Sequence, residues 1–285
     1  MSSIWQHLSS VRPTELIDAR LQLHHALQII VSAPISFLEK RADDSHTNLE
    51  WLPAIEALGT NWLDTRPRGR VRFALRPASI SLLAIDERGN VTSDLALDGK
   101  TVDDGVEWLR QSLSAAGYHA AALTTKKHYE IPPHAVASGK PFARGSGEAF
   151  EEFGRYYADA HALASYVATS RAGASPPRCW PHHFDLATLI TLPEIAGRST
   201  RTVGVGLSPG DASNAEPYFY VGPYPHPAPE RLRPLGSLGT WHTDGFVGAV
   251  LGASEIVPLA DTGRQSQAVH AFADAAIDAS IDALS

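Results

Sequence analysis

Residues 70–97, RVRFALRPASISLLAIDERGNVTSDLAL, contain the pattern that decides the fold. In the first six residues Val71, Phe73 and Leu75 occupy every second position, with Arg70 and Arg72 on the other face, which predicts a strand with one buried face. The remainder holds two predicted strands, 79–85 and 91–97, on either side of DERGN at 86–90, whose glycine suits a hairpin turn. With a strand predicted over 47–52, the first half of the chain should form a meander of about four antiparallel strands.

Helical spacing of apolar residues predicts long helices over residues 13–32, 101–116, 147–171 and 263–284. Thr101 with Asp104, and Thr262 with Gln265, have the spacing of capping boxes, so they should begin the second and the last of these helices. Pro34 should end or kink the first helix, because proline has no N–H for the helical hydrogen bond.

The second half repeats the organisation of the first. Strands are predicted over 178–192, 202–207 and 218–221. A strand entry of histidine, any residue, Asn or Asp, then leucine occurs at 46–49 and again at 183–186, by duplication or by chance similarity of turn residues. We therefore predict an α+β fold, a mostly antiparallel sheet covered by long helices. Its organisation is predicted as one compact unit, 1–285, with pseudo-repeat halves 1–117 and 147–285 joined by the loop 118–146.

Composition narrows the classes of protein. Hydrophobic residues make up 44% of the 285 residues and charged residues 19%, which allows a sizeable core and argues against disorder. The net charge of -7, without a basic cluster, argues against nucleic-acid binding. No signal peptide or membrane-spanning run is recognisable, which predicts a cytoplasmic protein. The single cysteine, Cys179, cannot form an intrachain disulfide, which also favours a reducing compartment. Its side chain is expected to be small and buried. No P-loop, G-x-G-x-x-G or C-x-x-C occurs, which argues against nucleotide hydrolysis, dinucleotide redox chemistry and a cysteine zinc site. The sequence indicates no particular cofactor.

Three stretches of the second half carry a family resemblance. Residues 180–186 read WPHHFDL, residues 208–211 read SPGD, and residues 216–223 read EPYFYVGP. In that order they resemble a family of uncharacterised bacterial proteins, common in actinobacteria, with W-P-x-H-F-D-L, S-P-G-D and E-P-Y-x-Y-V-G-P. The resemblance implies a site region but no reaction, and it favours His183 and Asp185, because relatives often place an acid at His182. A second family of unknown function has a helix rich in His and Gln and a later F-D-L-A strand, to which His24, Gln28 and residues 184–187 are similar.

His183 and Asp185 are the first candidates for chemistry. Two residues apart on a strand, they would point to the same face. Such a pair can act as an oriented general base or as two metal ligands, with a third ligand from His46, Asp211 or His242. The alternative is structural, with Asp185 accepting backbone hydrogen bonds and His183 half-buried.

The leading hypothesis is a protein that acts on or binds a small polar molecule, as a hydrolase or isomerase with His183 as base and Asp185 to orient it. Side chains expected to contact the ligand are His46, Glu50, Asp211, Tyr218, Tyr220 and His242. A non-catalytic small-molecule-binding or interaction protein and a metal-binding protein are the alternatives. Ser208 lies in a G-x-S-x-G string, but Pro209 removes the N–H that a nucleophile elbow donates, so we do not expect a serine nucleophile.

Overall fold

A computed structural model of the chain describes residues 5–9, 11–64, 69–194, 199–259 and 261–285. The helices are α1 Ile17–Phe37, α2 Val102–Ala115, α3 Glu148–Ser170, α4 Ala253–Ile256 and α5 Thr262–Leu284. The strands are β1 Leu49–Leu52, β2 Ala57–Thr60, β3 Leu63–Asp64, β4 Arg70–Arg76, β5 Ser81–Asp86, β6 Val91–Ala96, β7 Arg178–Trp180, β8 Asp185–Thr191, β9 Thr202–Ser208, β10 Tyr218–Tyr224, β11 Thr240–His242 and β12 Gly248–Gly252. Among the residues described, no helix combines the length and the apolar character that crossing a membrane requires.

The chain divides into two compact units, which interleave along the sequence. The first unit comprises Leu16–Gly154 and Cys179–Phe184. The second comprises Met1–Glu15, Arg155–Arg178 and Asp185–Ser285. The single unit and the pseudo-repeat halves expected from the sequence stay predictions.

The first unit contains an antiparallel sheet with the strand order β7-β1-β2-β4-β5-β6, and β3 pairs with β4. In β4 the side chains of Val71, Phe73 and Leu75 are buried, as their alternation predicts. Helix α1 packs against α2 and β4 and supplies the apolar layer that covers this sheet.

The second unit contains an antiparallel sheet with the strand order β8-β9-β10-β12-β11. Helix α5 packs against β9, β10 and β12. Leu186, Leu207 and Phe219, which are paired across β8, β9 and β10, are fully buried. Both units therefore confirm the predicted α+β class with antiparallel sheets and long helices.

Features that depend on residues close in sequence, a capping box and glycine turns, are confirmed. The side chain of Thr101 accepts a hydrogen bond from the N–H of Asp104, whose carboxylate accepts one in return from the N–H of Thr101. Gly89 closes the β5–β6 turn with a φ of +85°, and Gly117 follows α2 with a φ of +93°.

Three features differ from the prediction. Helix α1 continues one turn beyond Pro34, whose carbonyl accepts the hydrogen bond of Leu38 N–H, because a proline near the helix end costs few hydrogen bonds. The N-cap of α5 is Asp261 rather than Thr262, because the Asp261 carboxylate accepts the N–H of Arg264. The strand expected over 178–192 is interrupted at 181–184 by a turn.

Candidate functional site

One face of the second unit's sheet carries both tyrosines of the predicted site and one of its aspartates. Gly206 of β9 pairs with Tyr220 of β10 and with Ala187 of β8, and directly paired residues share a face. Asp185 and Tyr218 each lie two residues from these partners on their own strands and share the same face. We name the following set the tyrosine face: Asp185, Ala187, Gly204, Gly206, Ser208, Tyr218, Tyr220 and Gly222.

Each tyrosine of this face donates a hydrogen bond to a carboxylate. The Tyr220 hydroxyl lies 2.6 Å from Asp185 Oδ2, and the Tyr218 hydroxyl lies 2.5 Å from Asp211 Oδ2. The centroids of the two tyrosine rings are 6.4 Å apart. The structure therefore brings together four of the residues that the sequence predicted for the site.

Asp211 reaches this face from the loop that follows β9. Gly210 has a φ of +106°, which an L side chain adopts only with strain. The Oδ1 atom of Asp211 accepts the backbone N–H groups of Ser213 and Asn214 at 2.7 and 2.9 Å. Asp211 thus stabilises the turn with one oxygen and holds a tyrosine hydroxyl with the other.

The electrostatics of the face keep the phenol of Tyr218 protonated. Burial and the hydrogen bond to Asp211 raise the pKa of Tyr218, and the charge of Asp185 acts in the same direction. A phenol with a raised pKa donates hydrogen bonds at neutral pH and is a poor general base. Because both hydroxyl hydrogens are directed at carboxylates, the atoms that this face presents to a ligand are mainly acceptors.

His183 does not lie on the strand where the sequence pattern placed it. Residues 181–184 form a turn in which Phe184 has a φ of +60°. Strand β8 begins only at Asp185, so the alternation that would align His183 with Asp185 does not apply, and that expectation is wrong. His183 is an exposed residue of the first unit, and its ring centroid is 4.4 Å from that of His182.

His242 lies in the second unit at some distance from the tyrosine pairs. Its ring stacks on Phe246 with the centroids 4.4 Å apart, and its Nδ1 atom is 3.2 Å from the Phe246 carbonyl oxygen. Strand β12 separates β11 from β10, which places the two strands about 10 Å apart. Thr240 of β11 pairs with Val250, which pairs with Tyr220, and His242 lies two residues from Thr240, so His242 shares the face of Tyr220 two strands away. Its expected contact with a ligand stays a prediction.

His46 and Glu50 belong to the first unit. The Nδ1 atom of His46 accepts the backbone N–H of Arg41 at 3.3 Å, and burial lowers the pKa of His46. Glu50 forms an ion pair with Arg72 on β4. These contacts are structural, and the expected contact of His46 and Glu50 with a ligand stays a prediction.

His24 and Gln28 of α1 bind the turn at 181–184 to the helix. The Nε2 atoms of His24 and Gln28 lie 2.9 and 2.8 Å from the Pro181 carbonyl oxygen. The His24 ring also stacks on Phe184, with a centroid distance of 5.2 Å, and burial lowers the pKa of His24 to about 4. A neutral imidazole that donates to a carbonyl is a structural group, so these contacts give His24 a core role.

Two further expectations concern cysteine chemistry and metals. Cys179 is fully buried and pairs with Leu49 between β7 and β1, which confirms a small buried side chain. In the described part of the chain, no group of three or more His, Cys, Asp and Glu side chains could hold a metal ion. The metal role of His183 and Asp185 stays a prediction for which the structure describes no site.

Two glycines of β9 line the tyrosine face, and neither is among the residues predicted for the site. Gly204 and Gly206 occupy alternate positions of β9, and Val203, Val205 and Leu207 occupy the positions beside them. The string TVGVGLS at 202–208 therefore carries a signal, since period-two glycine in a strand marks a face without side chains.

Comparison of the chain with models of protein families, with curated proteins and with solved structures found no match. The resemblance to the bacterial family with W-P-x-H-F-D-L stays a prediction.

Proposed function

We propose that the tyrosine face binds a small polar molecule that is rich in hydrogen-bond donors, such as a polyol or a small amine. The observation that carries the proposal is the pair of tyrosine–carboxylate hydrogen bonds, Tyr220 to Asp185 and Tyr218 to Asp211. Phenol and carboxylate oxygens accept hydrogen bonds from hydroxyl or ammonium groups of a ligand. The two carboxylates disfavour an anionic ligand through like-charge repulsion.

The shape of the face supports a flat ligand beside Tyr220. At Gly222, no atom lies within 4 Å of the position that a Cβ would take. Tyr220 is partly exposed, and Leu189, which pairs with Gly204, is 44% exposed. An aromatic ring beside a strip without side chains can support the apolar face of a small ring compound while its hydroxyl contacts polar groups.

The protonation of Tyr218 and the hydrogen bonds of the two aspartates favour binding over catalysis. The raised pKa of Tyr218 makes it a hydrogen-bond donor rather than a base. One oxygen each of Asp185 and Asp211 accepts a phenol hydrogen. A hydrolase or isomerase that uses His183 stays the alternative proposal, and unchanged activity in His183→Ala, once an activity is found, would dismiss it.

The proposal predicts which small molecules the chain binds. We expect glucose, sorbitol or putrescine to give a saturation-transfer NMR signal, and citrate and inorganic phosphate to give none. Asp185→Asn and Tyr220→Phe should each weaken the binding about tenfold, because each removes one partner of a partly buried hydrogen bond. The proposal would be contradicted if only the anions bound, or if none of glucose, sorbitol and putrescine gave a signal. Unchanged affinity in both variants would also contradict it.

Two variants of β10 separate the effect of the site from that of the fold. Tyr224→Phe removes the hydroxyl of an exposed tyrosine on the same strand and should leave binding unchanged. Gly222→Val introduces a β-branched side chain that suits a strand and extends into the open space beside Tyr220. It should block the ligand while both tyrosine–aspartate hydrogen bonds remain.

A further inference from the structure

The second unit contains a cavity of about 290 Å³ that shares no lining residue with the tyrosine face. Its polar lining residues are Ser199, Arg201, His226 and Arg231. Among the described residues that line it there is no Asp or Glu, so the fixed charges of the lining are both positive. In a chain with a net charge of -7, such a cavity attracts anions that the rest of the surface repels.

Arg201 is the buried charge of this cavity. It directly precedes β9, and only 9% of it is exposed. Its Nη1 atom donates to the Leu284 carbonyl at 3.1 Å, and its Nη2 atom donates to the Pro193 carbonyl at 2.6 Å. Within the described part of the chain these two backbone carbonyls are its acceptors, and they orient the guanidinium without neutralising its charge. A buried charge is costly without a partner of opposite sign, which an anion in the cavity would supply.

The donors of the two arginines suit an anion with several oxygens. A guanidinium has five N–H groups in one plane, and the two carbonyls engage two of those on Arg201. Its fork geometry matches two oxygens of a phosphate group. Arg231 ends the short helical turn Pro229–Arg231, and its exposed side chain adds the second guanidinium.

The rest of the lining favours a compact anion. Small-molecule pockets begin at roughly 300 Å³, so this cavity lies near their lower limit. Its other lining residues offer no polar side chain: Pro225, Pro227, Ala283 and Leu284. An anion such as citrate would bring more carboxylates than the two arginines can pair with, whereas a single phosphate group can contact both.

We propose that this cavity binds a phosphate group, either as the free ion or as the end group of a small ester. Arg201 holds two of its oxygens from the buried side, and Arg231 closes on it from the solvent side. Charge-assisted hydrogen bonds of this kind are stronger than those between neutral groups. The site is independent of the tyrosine face, whose carboxylates repel anions.

Titration calorimetry in about 0.15 M sodium chloride tests the proposal, because chloride at this concentration screens attraction to exposed charges. Inorganic phosphate has no carbon-bound hydrogen and would escape proton saturation transfer. Inorganic phosphate and methyl phosphate are titrated separately, and we expect saturable binding. Tighter binding of the free ion would identify an ion site, and tighter binding of methyl phosphate an ester site. Absence of saturable heat from both, up to about 10 mM, would overturn the proposal.

Matched arginine variants connect the binding to the cavity. Arg231→Gln should weaken it about tenfold, and the fold should tolerate this change because Arg231 is exposed. Arg201→Lys keeps the charge but loses the planar fork, so it should also weaken binding. The control is Arg233→Gln, which removes an exposed arginine outside the lining that pairs with Asp282 at 2.8 Å.

Arg233→Gln should bind phosphate as the natural chain does. An equal loss of affinity in Arg231→Gln and Arg233→Gln would mean that phosphate follows the net surface charge. Unchanged affinity in Arg231→Gln would mean that phosphate binds elsewhere. Either result would refute the cavity as the site.

Discussion

Replacement of Gln265 by alanine should lower the free energy of unfolding of the second unit by about 2–4 kcal/mol. Gln265 of α5 is fully buried, and its amide contacts both backbone groups of Leu8: Oε1 accepts the N–H at 3.0 Å and Nε2 donates to the carbonyl at 2.8 Å. Alanine would leave a buried donor and a buried acceptor without partners. Guanidinium unfolding followed by circular dichroism measures the loss.

Gln267 is the matched control for this prediction, since it lies on the same helix and is exposed. Gln267→Ala should change the stability by no more than about 0.5 kcal/mol. Gln265→Ala should also make the chain near Leu8 more sensitive to protease, because Gln265 attaches this segment to α5. A loss below about 1 kcal/mol, with unchanged proteolysis, would mean that Gln265 does not hold the N-terminal segment.

Acidification from pH 6.5 to pH 4 should destabilise the first unit by about 3 kcal/mol through His24. The folded chain lowers the pKa of His24 from 6.5 to about 4, chiefly by burial. Within this window the unfolded chain binds a proton that the folded chain does not, so stability falls as the pH falls. Above pH 6.5 the imidazole is neutral in both states, and the effect vanishes.

His24→Gln isolates this contribution, because glutamine can still donate a hydrogen bond towards the Pro181 carbonyl but does not titrate. Unfolding free energies of the two chains are compared across the acid window. Burial also lowers the pKa values of His25, His46 and His182, and these groups act in both chains alike. The variant should therefore lose less stability on acidification than the natural chain. Parallel pH profiles would refute the role of His24.

Much of the secondary structure could be predicted, because it depends on residues close in sequence. The alternation in 70–75 and the turn at 86–90 predicted β4 and the β5–β6 hairpin. Where prediction failed, a competing local signal decided the outcome. At residues 181–184 a turn with Phe184 in the left-handed conformation replaces an extended backbone, and apolar composition alone does not reveal it.

The candidate site was predictable in its residue types but not in its pairings. The sequence singled out Asp185, Asp211, Tyr218 and Tyr220, and the structure joins them in two hydrogen-bonded pairs. The sequence pattern predicted that His183 and Asp185 share a strand face. That alternation holds only within a continuous strand, and β8 begins after His183.

The amino-acid sequence by itself determined the α+β class, most helix and strand positions and the aromatic and acidic character of the second half. Only the tertiary structure decided that Tyr220 meets Asp185, 35 residues away, and that Lys127 meets Ser32, 95 residues away. The physical reason is that periodicity and capping report interactions within a few residues. Strand order, register and the path of a long loop over a helix depend instead on which distant surfaces are buried together.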